Sequence, residues 1–268
     1  MSLAIVRDAL RATPRPSLLW LAEFVLNPML FALFWFWLLI PESGVGQLLL
    51  SFTLAALIAV GFLALLGATL SWYTGYHAGA APTVRSAFGK GLRHFVWLAI
   101  WGFMPLAVCR IIEWAESYQY QLPTYLRSVL PMAIRAHVSE AQLLWLYLFF
   151  LAVLFWVVTL AIWLPPAAQL AARGFRGFGR EGFRAWGRSL RSLQYWLLVA
   201  FTMLLGVWLP MLLMDWKLKQ GTTFSVEMTS LIGRLALAYV LALCAWMLLA
   251  SAVGRAGAPV AAKRDTAA

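Results

Sequence analysis

Charge is scarce in this chain, and acid is scarcer. Only 12% of the 268 residues are charged and ten are Asp or Glu, where a soluble globular domain carries about a quarter charged residues. With 63% of residues hydrophobic, one water-surrounded core of this size cannot hide the apolar surface, so the surrounding medium is lipid. Histidine and cysteine are as thin. His77, His94 and His137 are scattered, and Cys109 and Cys244 stand at different depths of their spans, which argues against a disulfide. There is no H-E-x-x-H, no glycine-rich phosphate loop, no C-x-x-C and no carboxylate cluster suited to a metal. The expectation is a non-enzymatic chain with no catalytic residues, metal or cofactor, because catalysis needs a positioned nucleophile, base and stabiliser.

What the chain has in quantity is long apolar runs. Six are long enough to cross about 30 Å of hydrocarbon, which takes roughly 20 helical residues. They fall near Leu18–Ile40, Gln47–Tyr73, Phe95–Cys109, Leu143–Leu164, Leu193–Met214 and Leu231–Val253. Arg110 and Glu113 interrupt the third at its far end. The run from Leu18 is too long for a signal-peptide core, so it is expected to stay as an anchor. These runs predict an all-α, polytopic bundle, a single integral membrane domain over 1–268. Its parts are a cytoplasmic interfacial segment at 1–17, spans and loops at 18–253, and a flexible cytoplasmic tail at 254–268.

The 21 basic residues divide unequally between the two sides. One side holds Arg7, Arg11, Arg15, Arg85, Lys90, Arg93, the arginines of 171–192, Arg255, Lys263 and Arg264. The other holds Arg110, Arg127, Arg135, Lys217, Lys219 and Arg234, balanced by Glu42, Glu113, Glu116, Glu140, Asp215 and Glu227. The formal charge of +11 therefore belongs to one face. The positive-inside rule makes that face cytoplasmic, with both termini inside. Compactness and preference for Arg over Lys suggest a bacterial inner membrane.

Residues 87–103, AFGKGLRHFVWLAIWGF, and 185–201, AWGRSLRSLQYWLLVAF, align without a gap. A fainter third copy pairs WLAEFVLNPM at 20–29 with WLAIWGFMPL at 97–106. Tandem helical hairpins follow, each a basic interfacial segment, a span outward, a turn and a span back. In the second copy Arg173, Arg176, Arg180, Arg184, Arg188 and Arg191 recur at steps of three and four. That spacing places them along one stripe of an amphipathic helix, with Phe175, Phe183, Trp186, Leu190 and Leu193 opposite. With Lys90 and Arg93, these arginines are the candidate contacts for anionic headgroups or a partner protein, at about 1 kcal/mol each. Pinned between spans, the segment has no room to wrap a nucleic acid.

Other polar residues are candidates by depth. Glu23 lies about a turn inside the cytoplasmic edge, within reach of basic residues. Asn27 precedes Pro28, which should kink the first span. Arg110, Glu113, Asp215 and Arg234 form a possible outer polar cluster, against which stands simple ion pairing and snorkelling at helix ends. Gly67, Ser71, Gly75 and Gly79 make a small-residue packing stripe on the second span. The outer 110–142 loop carries Trp114, Tyr118, Tyr120 and Tyr125 at the interface, then a short helix lying flat on the outer leaflet and divided by Pro123 and Pro131. Function reads as a non-catalytic membrane component binding anionic lipid or partner proteins. The alternative is a transporter's membrane subunit working with a cytoplasmic partner.

Overall fold

The computed structural model describes residues 4–41, 43–216 and 224–258. Among them are twelve α-helices and no strand. They are α1 (Ala4–Ala12), α2 (Ser17–Leu38), α3 (Val45–His77), α4 (Val84–Arg93), α5 (Phe95–Glu116), α6 (Gln121–Val129), α7 (Met132–Arg135), α8 (Glu140–Trp156), α9 (Leu164–Arg191), α10 (Leu193–Met203), α11 (Leu209–Asp215) and α12 (Phe224–Gly257). Six helical stretches are long and apolar enough to cross a membrane. Each coincides with a run expected from the sequence, and the chain is a multi-pass, all-α membrane protein. Glu42, Lys217, Lys219 and the tail from 259 lie outside the described residues.

The third span does not stop at Cys109: α5 runs on to Glu116. Arg110 and Glu113 pair across one turn on the exposed surface at 2.7 Å, so the charges need no break in the helix. Two stretches widen into π-helix, Val157–Trp163 and Leu204–Trp208. Each ends two residues before a proline, Pro165 (followed by Pro166) and Pro210, whose missing N–H groups upset the regular ladder.

Contacts divide the chain into two compact units. The smaller is Ile100–Leu164. In it Ser139 and Gln142 form a capping box at the start of α8, and Arg127 pairs with Glu140 at 3.2 Å. Pro123 sits in the first turn of α6 rather than dividing a helix, while Pro131 does separate α6 from α7.

The larger unit, Met1–Ala99 with Pro165–Ala268, holds the core. Along α3, Leu49, Phe52, Leu57 and Phe62 are exposed, whereas Ala64 to Thr74 are buried. Along α12, Ile232, Leu235 and Val240 are exposed, and burial sets in from Leu243. Half of the apolar window of α12 is buried, against at most 17% in the other five, which makes α12 the central helix. Side chains facing acyl tails lose nothing by exposure; those at the level of water must be covered. The tightly packed ends of α3 and α12 are covered by α1, α4 and α9.

Each covering helix is held by identifiable contacts. Ile5, Val6 and Ala9 of α1 pack on Leu198, Leu248 and Ala252, and Arg255 Nε donates to Asp8 at 2.9 Å. Gly67 of α3 and Gly91 of α4 touch backbone to backbone: a Cβ on Gly91 would lie 2.5 Å from the Ala64 carbonyl oxygen. On α12, a Cβ on Gly254 would lie 2.8 Å from the Tyr73 carbonyl carbon.

Candidate functional site

The duplicated stretch has a structural counterpart in register. Helix α4 ends at Arg93 and α5 begins at Phe95, with His94 between; α9 ends at Arg191 and α10 begins at Leu193, with Ser192 between. Those breaks are matching positions of the alignment, as are buried Ala87 and Ala185, and buried Gly91 and Ser189. The third copy shares the plan but not the burial register. Residues 13–16 separate α1 from α2, and Leu21 is 58% exposed where its counterpart Leu98 is fully buried.

The arginine segment departs from one continuous stripe. Gly174 (φ +68°) and Gly179 (φ +22°) take non-helical conformations, so α9 is broken twice. At the first break the Ala171 carbonyl accepts from His94 Nδ1 at 2.9 Å, and Phe175 stacks on Trp97 with ring centroids 4.7 Å apart. Between the breaks Phe178 is buried, and beyond the second the buried face is Gly182, Ala185 and Ser189, while Phe175, Phe183 and Leu193 are exposed. The small residues Gly182, Ala185 and Ser189 on the covered face let the segment approach Gly257 at the end of α12, while the rings of Phe175 and Phe183 stay on the exposed surface.

Arg184, Arg188 and Arg191 are exposed and, with Phe183 and Gly187, line a groove of about 460 Å³. Arg188 also donates to the Gly257 carbonyl at 2.8 Å, satisfying the end of α12. Arg173, Lys90 and Arg93 are exposed too, whereas the side chains of Arg176 and Arg180 lie outside the described residues.

The small-residue stripe is a seam over part of its length. Gly67 meets Gly91 and Leu98, and Ser71 Oγ lies 3.1 Å from the Ala68 carbonyl and 3.3 Å from that of Ala87. A Cβ on Gly75 would rest 3.8 Å from Pro82. Gly79 belongs to no seam. It follows the end of α3 at φ +83°, with Gly79 N bonded to the Tyr76 carbonyl and Ala80 N to the Gly75 carbonyl, both at 3.0 Å. That is a helix-terminating Schellman arrangement, which requires a left-handed residue.

Of the outer polar candidates, Arg110 pairs with Glu113 within the smaller unit. Arg234, in the larger, gives its guanidinium to the carbonyls of Ser230, Leu213 and Trp216, where the 209–215 helix ends, rather than to Asp215.

Glu23 is the candidate the fold transforms. It is 2% exposed. Its carboxyl accepts from Thr69 Oγ1 of α3, Trp246 Nε1 of α12 (2.9 Å) and Asn27 Nδ2 one turn along α2 (2.6 Å). The basic partner expected from the sequence is not there: no ion pair among the described residues includes Glu23. Neutral donors replace it because the carboxyl faces α3 and α12 rather than the basic segments. Beside it opens a cavity of about 230 Å³ lined by Asn27, Phe62, Leu65, Leu66, Tyr239, Ala242, Leu243 and Trp246.

Pro28 contributes to the same place. Lacking an N–H, it leaves the Phe24 carbonyl without its helical partner, and Tyr239 Oη stands 3.0 Å from that oxygen and 3.2 Å from the Glu23 carbonyl. Pro105 repeats the device in the smaller unit: the Trp101 carbonyl, four residues earlier, accepts from Trp163 Nε1 at 2.8 Å, and Trp101 Nε1 donates back to the Trp163 carbonyl at 3.1 Å. Sequence reasoning marked Glu23 and Asn27 but missed Thr69, Tyr239 and Trp246. The one available signal was the proline, which names the carbonyl that needs a donor without naming the donor.

The chain matches no protein-family model, no curated protein and no solved structure.

Proposed function

We propose that this chain is a non-catalytic component of a bacterial inner membrane that holds anionic lipid headgroups at its basic segments, with both termini in the cytoplasm. The observation that carries the reading is the convergence of basic helices on one end of the larger unit. Arg7 and Arg11 on α1, Arg85, Lys90 and Arg93 on α4, and Arg184, Arg188 and Arg191 on α9 are all exposed. Their helices are tied to the ends of α3 and α12 through the Ser251–Ala9, Gly67–Gly91 and Arg188–Gly257 contacts. A rim of guanidiniums around an apolar bundle suits phosphate at the headgroup level. The sequence has few acids to oppose it there, and the positive-inside rule assigns such a rim to the cytoplasmic leaflet.

The test compares full-length protein with an Arg184→Gln/Arg188→Gln/Arg191→Gln variant, both reconstituted from mild detergent with phosphatidylglycerol or phosphatidylcholine. At about 1 kcal/mol per arginine, the triple variant should lose roughly a hundredfold in phosphatidylglycerol affinity. Affinity for phosphatidylcholine should not change. Equal retention of phosphatidylglycerol by both proteins overturns the reading. Co-purification of a stoichiometric cytoplasmic ATPase would favour instead a transporter's membrane subunit, for which the groove at Arg184, Arg188 and Arg191 is the contact surface.

A further inference from the structure

The carboxyl of Glu23 joins three helices through neutral donors, and a structural joint would end there. Glutamine could accept from Thr69 and Trp246 through its one carbonyl oxygen and donate its amide to a turned-over Asn27 side chain, without burying an ionisable group, which is costly unless a charge partner compensates it. Nor does a joint need empty space beside it, since helices in contact normally pack to interior density. Here the cavity adjoins the carboxyl.

The walls narrow the chemistry. Apart from Glu23 and Asn27, the lining is aliphatic and aromatic: Phe62, Leu65, Leu66, Tyr239, Ala242, Leu243 and Trp246. A carboxylate repels an anion, and a wholly apolar guest gains nothing from it. Aromatic faces beside a carboxylate attract a desolvated ammonium, through the ring quadrupole as well as the charge. The volume, about 230 Å³, exceeds the roughly 150 Å³ of an apolar cavity that holds benzene, so one ring and a short side arm fit.

Position along the helices points the same way. Thr69 and Trp246, which hold the carboxyl, lie where α3 and α12 are covered, whereas Phe62 and Tyr239 lie further along each helix, where apolar side chains become exposed. Phe62 itself is 54% exposed. The polar pole of the cavity thus faces the covered end and its apolar body faces the lipid-exposed part. A guest that partitions into a leaflet with its ammonium at the headgroups would meet the cavity already oriented.

We propose that the cavity between α2, α3 and α12 is a binding site for a small lipophilic ammonium ion, with Glu23 as its counter-ion and Tyr239 and Trp246 as its aromatic walls. The site is independent of the arginine rim, because its ligand carries the opposite charge and enters from the apolar side.

The probe is phenethylammonium, titrated into the full-length protein in a neutral mild detergent, with thermal unfolding and saturation-transfer NMR as readouts. Its neutral counterpart is 2-phenylethanol, of nearly the same shape. Saturable stabilisation by the ammonium is expected, with the alcohol weaker by roughly tenfold or more. Glu23→Gln should remove that preference, and Ala242→Phe, which fills the cavity and leaves the carboxyl in place, should abolish binding. Should Glu23→Gln fail to fold, Ala242→Phe alone decides between a site and micelle partitioning. Equal binding of ammonium and alcohol by the wild type, unchanged binding in Ala242→Phe, or no saturable binding at millimolar probe overturns the proposal. Phosphatidylglycerol retention by the Glu23→Gln protein reads the arginine rim separately.

Discussion

Single residues in this chain act through what they leave out. Gly91 omits a side chain so that α4 can lie against the backbone of α3, with a Cβ there only 2.5 Å from the Ala64 oxygen. Gly89, two residues away, faces open space. Gly91→Ala should therefore cost about 1–3 kcal/mol through forced displacement, whereas Gly89→Ala should stabilise by about 0.4–1 kcal/mol. Thermal unfolding of the two variants in one detergent compares them, and equal melting temperatures would remove the close crossing. Pro28 and Pro105 omit a donor, and an aromatic residue from another helix supplies one. Tyr239→Phe and Trp163→Phe each strip that donor and keep the ring or most of its bulk. Each should lose roughly 0.6–1.7 kcal/mol, the range for hydrogen bonds between membrane helices, and chemical denaturation of the purified variants would measure it.

At the scale of elements, the repeated motif is a helix, a one-residue break and a second helix, with the break at His94 in one copy and Ser192 in the other. Its position was written in the alignment, since both breaks follow the same basic residue. The burial of the two copies was not. Copy one packs through Gly91 on the backbone of α3; copy two packs through Ala185 near Gly257 and ties Arg188 to the Gly257 carbonyl. This separates two arginines that look alike in sequence. Arg188→Gln should reduce stability by about 0.3–1 kcal/mol through the lost cation at the end of α12, as well as weaken anionic lipid binding. Arg184→Gln should affect lipid binding alone. Parallel melting and lipid-binding measurements on both variants test the distinction.

For the molecule as a whole, the prediction concerns sides. Reporter fusions at Ser43 and Glu140 should report the outside, and fusions at Pro82, Gly182 and the C-terminus the inside; one reversed reporter breaks the six-span topology. That prediction rests on composition, because hydropathy and the placement of Lys and Arg are local properties that single segments carry into the bilayer. Helix number, approximate span limits and the junctions of the duplicated stretch were legible for the same reason. The twice-broken course of α9 was not, because spacing counts residues but does not show which glycine adopts a positive φ. The Glu23 site was legible only by half. The sequence marks an acid and a proline inside the first span, yet the carboxyl's partner on α12 lies 223 residues away. In a bilayer most side chains on the spans can face lipid at no cost, so apolar pattern alone does not say which helix faces which. By itself the sequence determined that this chain crosses a membrane and where its cations lie. Only the tertiary structure decided which three helices enclose Glu23, because that choice depends on close backbone approach and on donors meeting orphaned carbonyls.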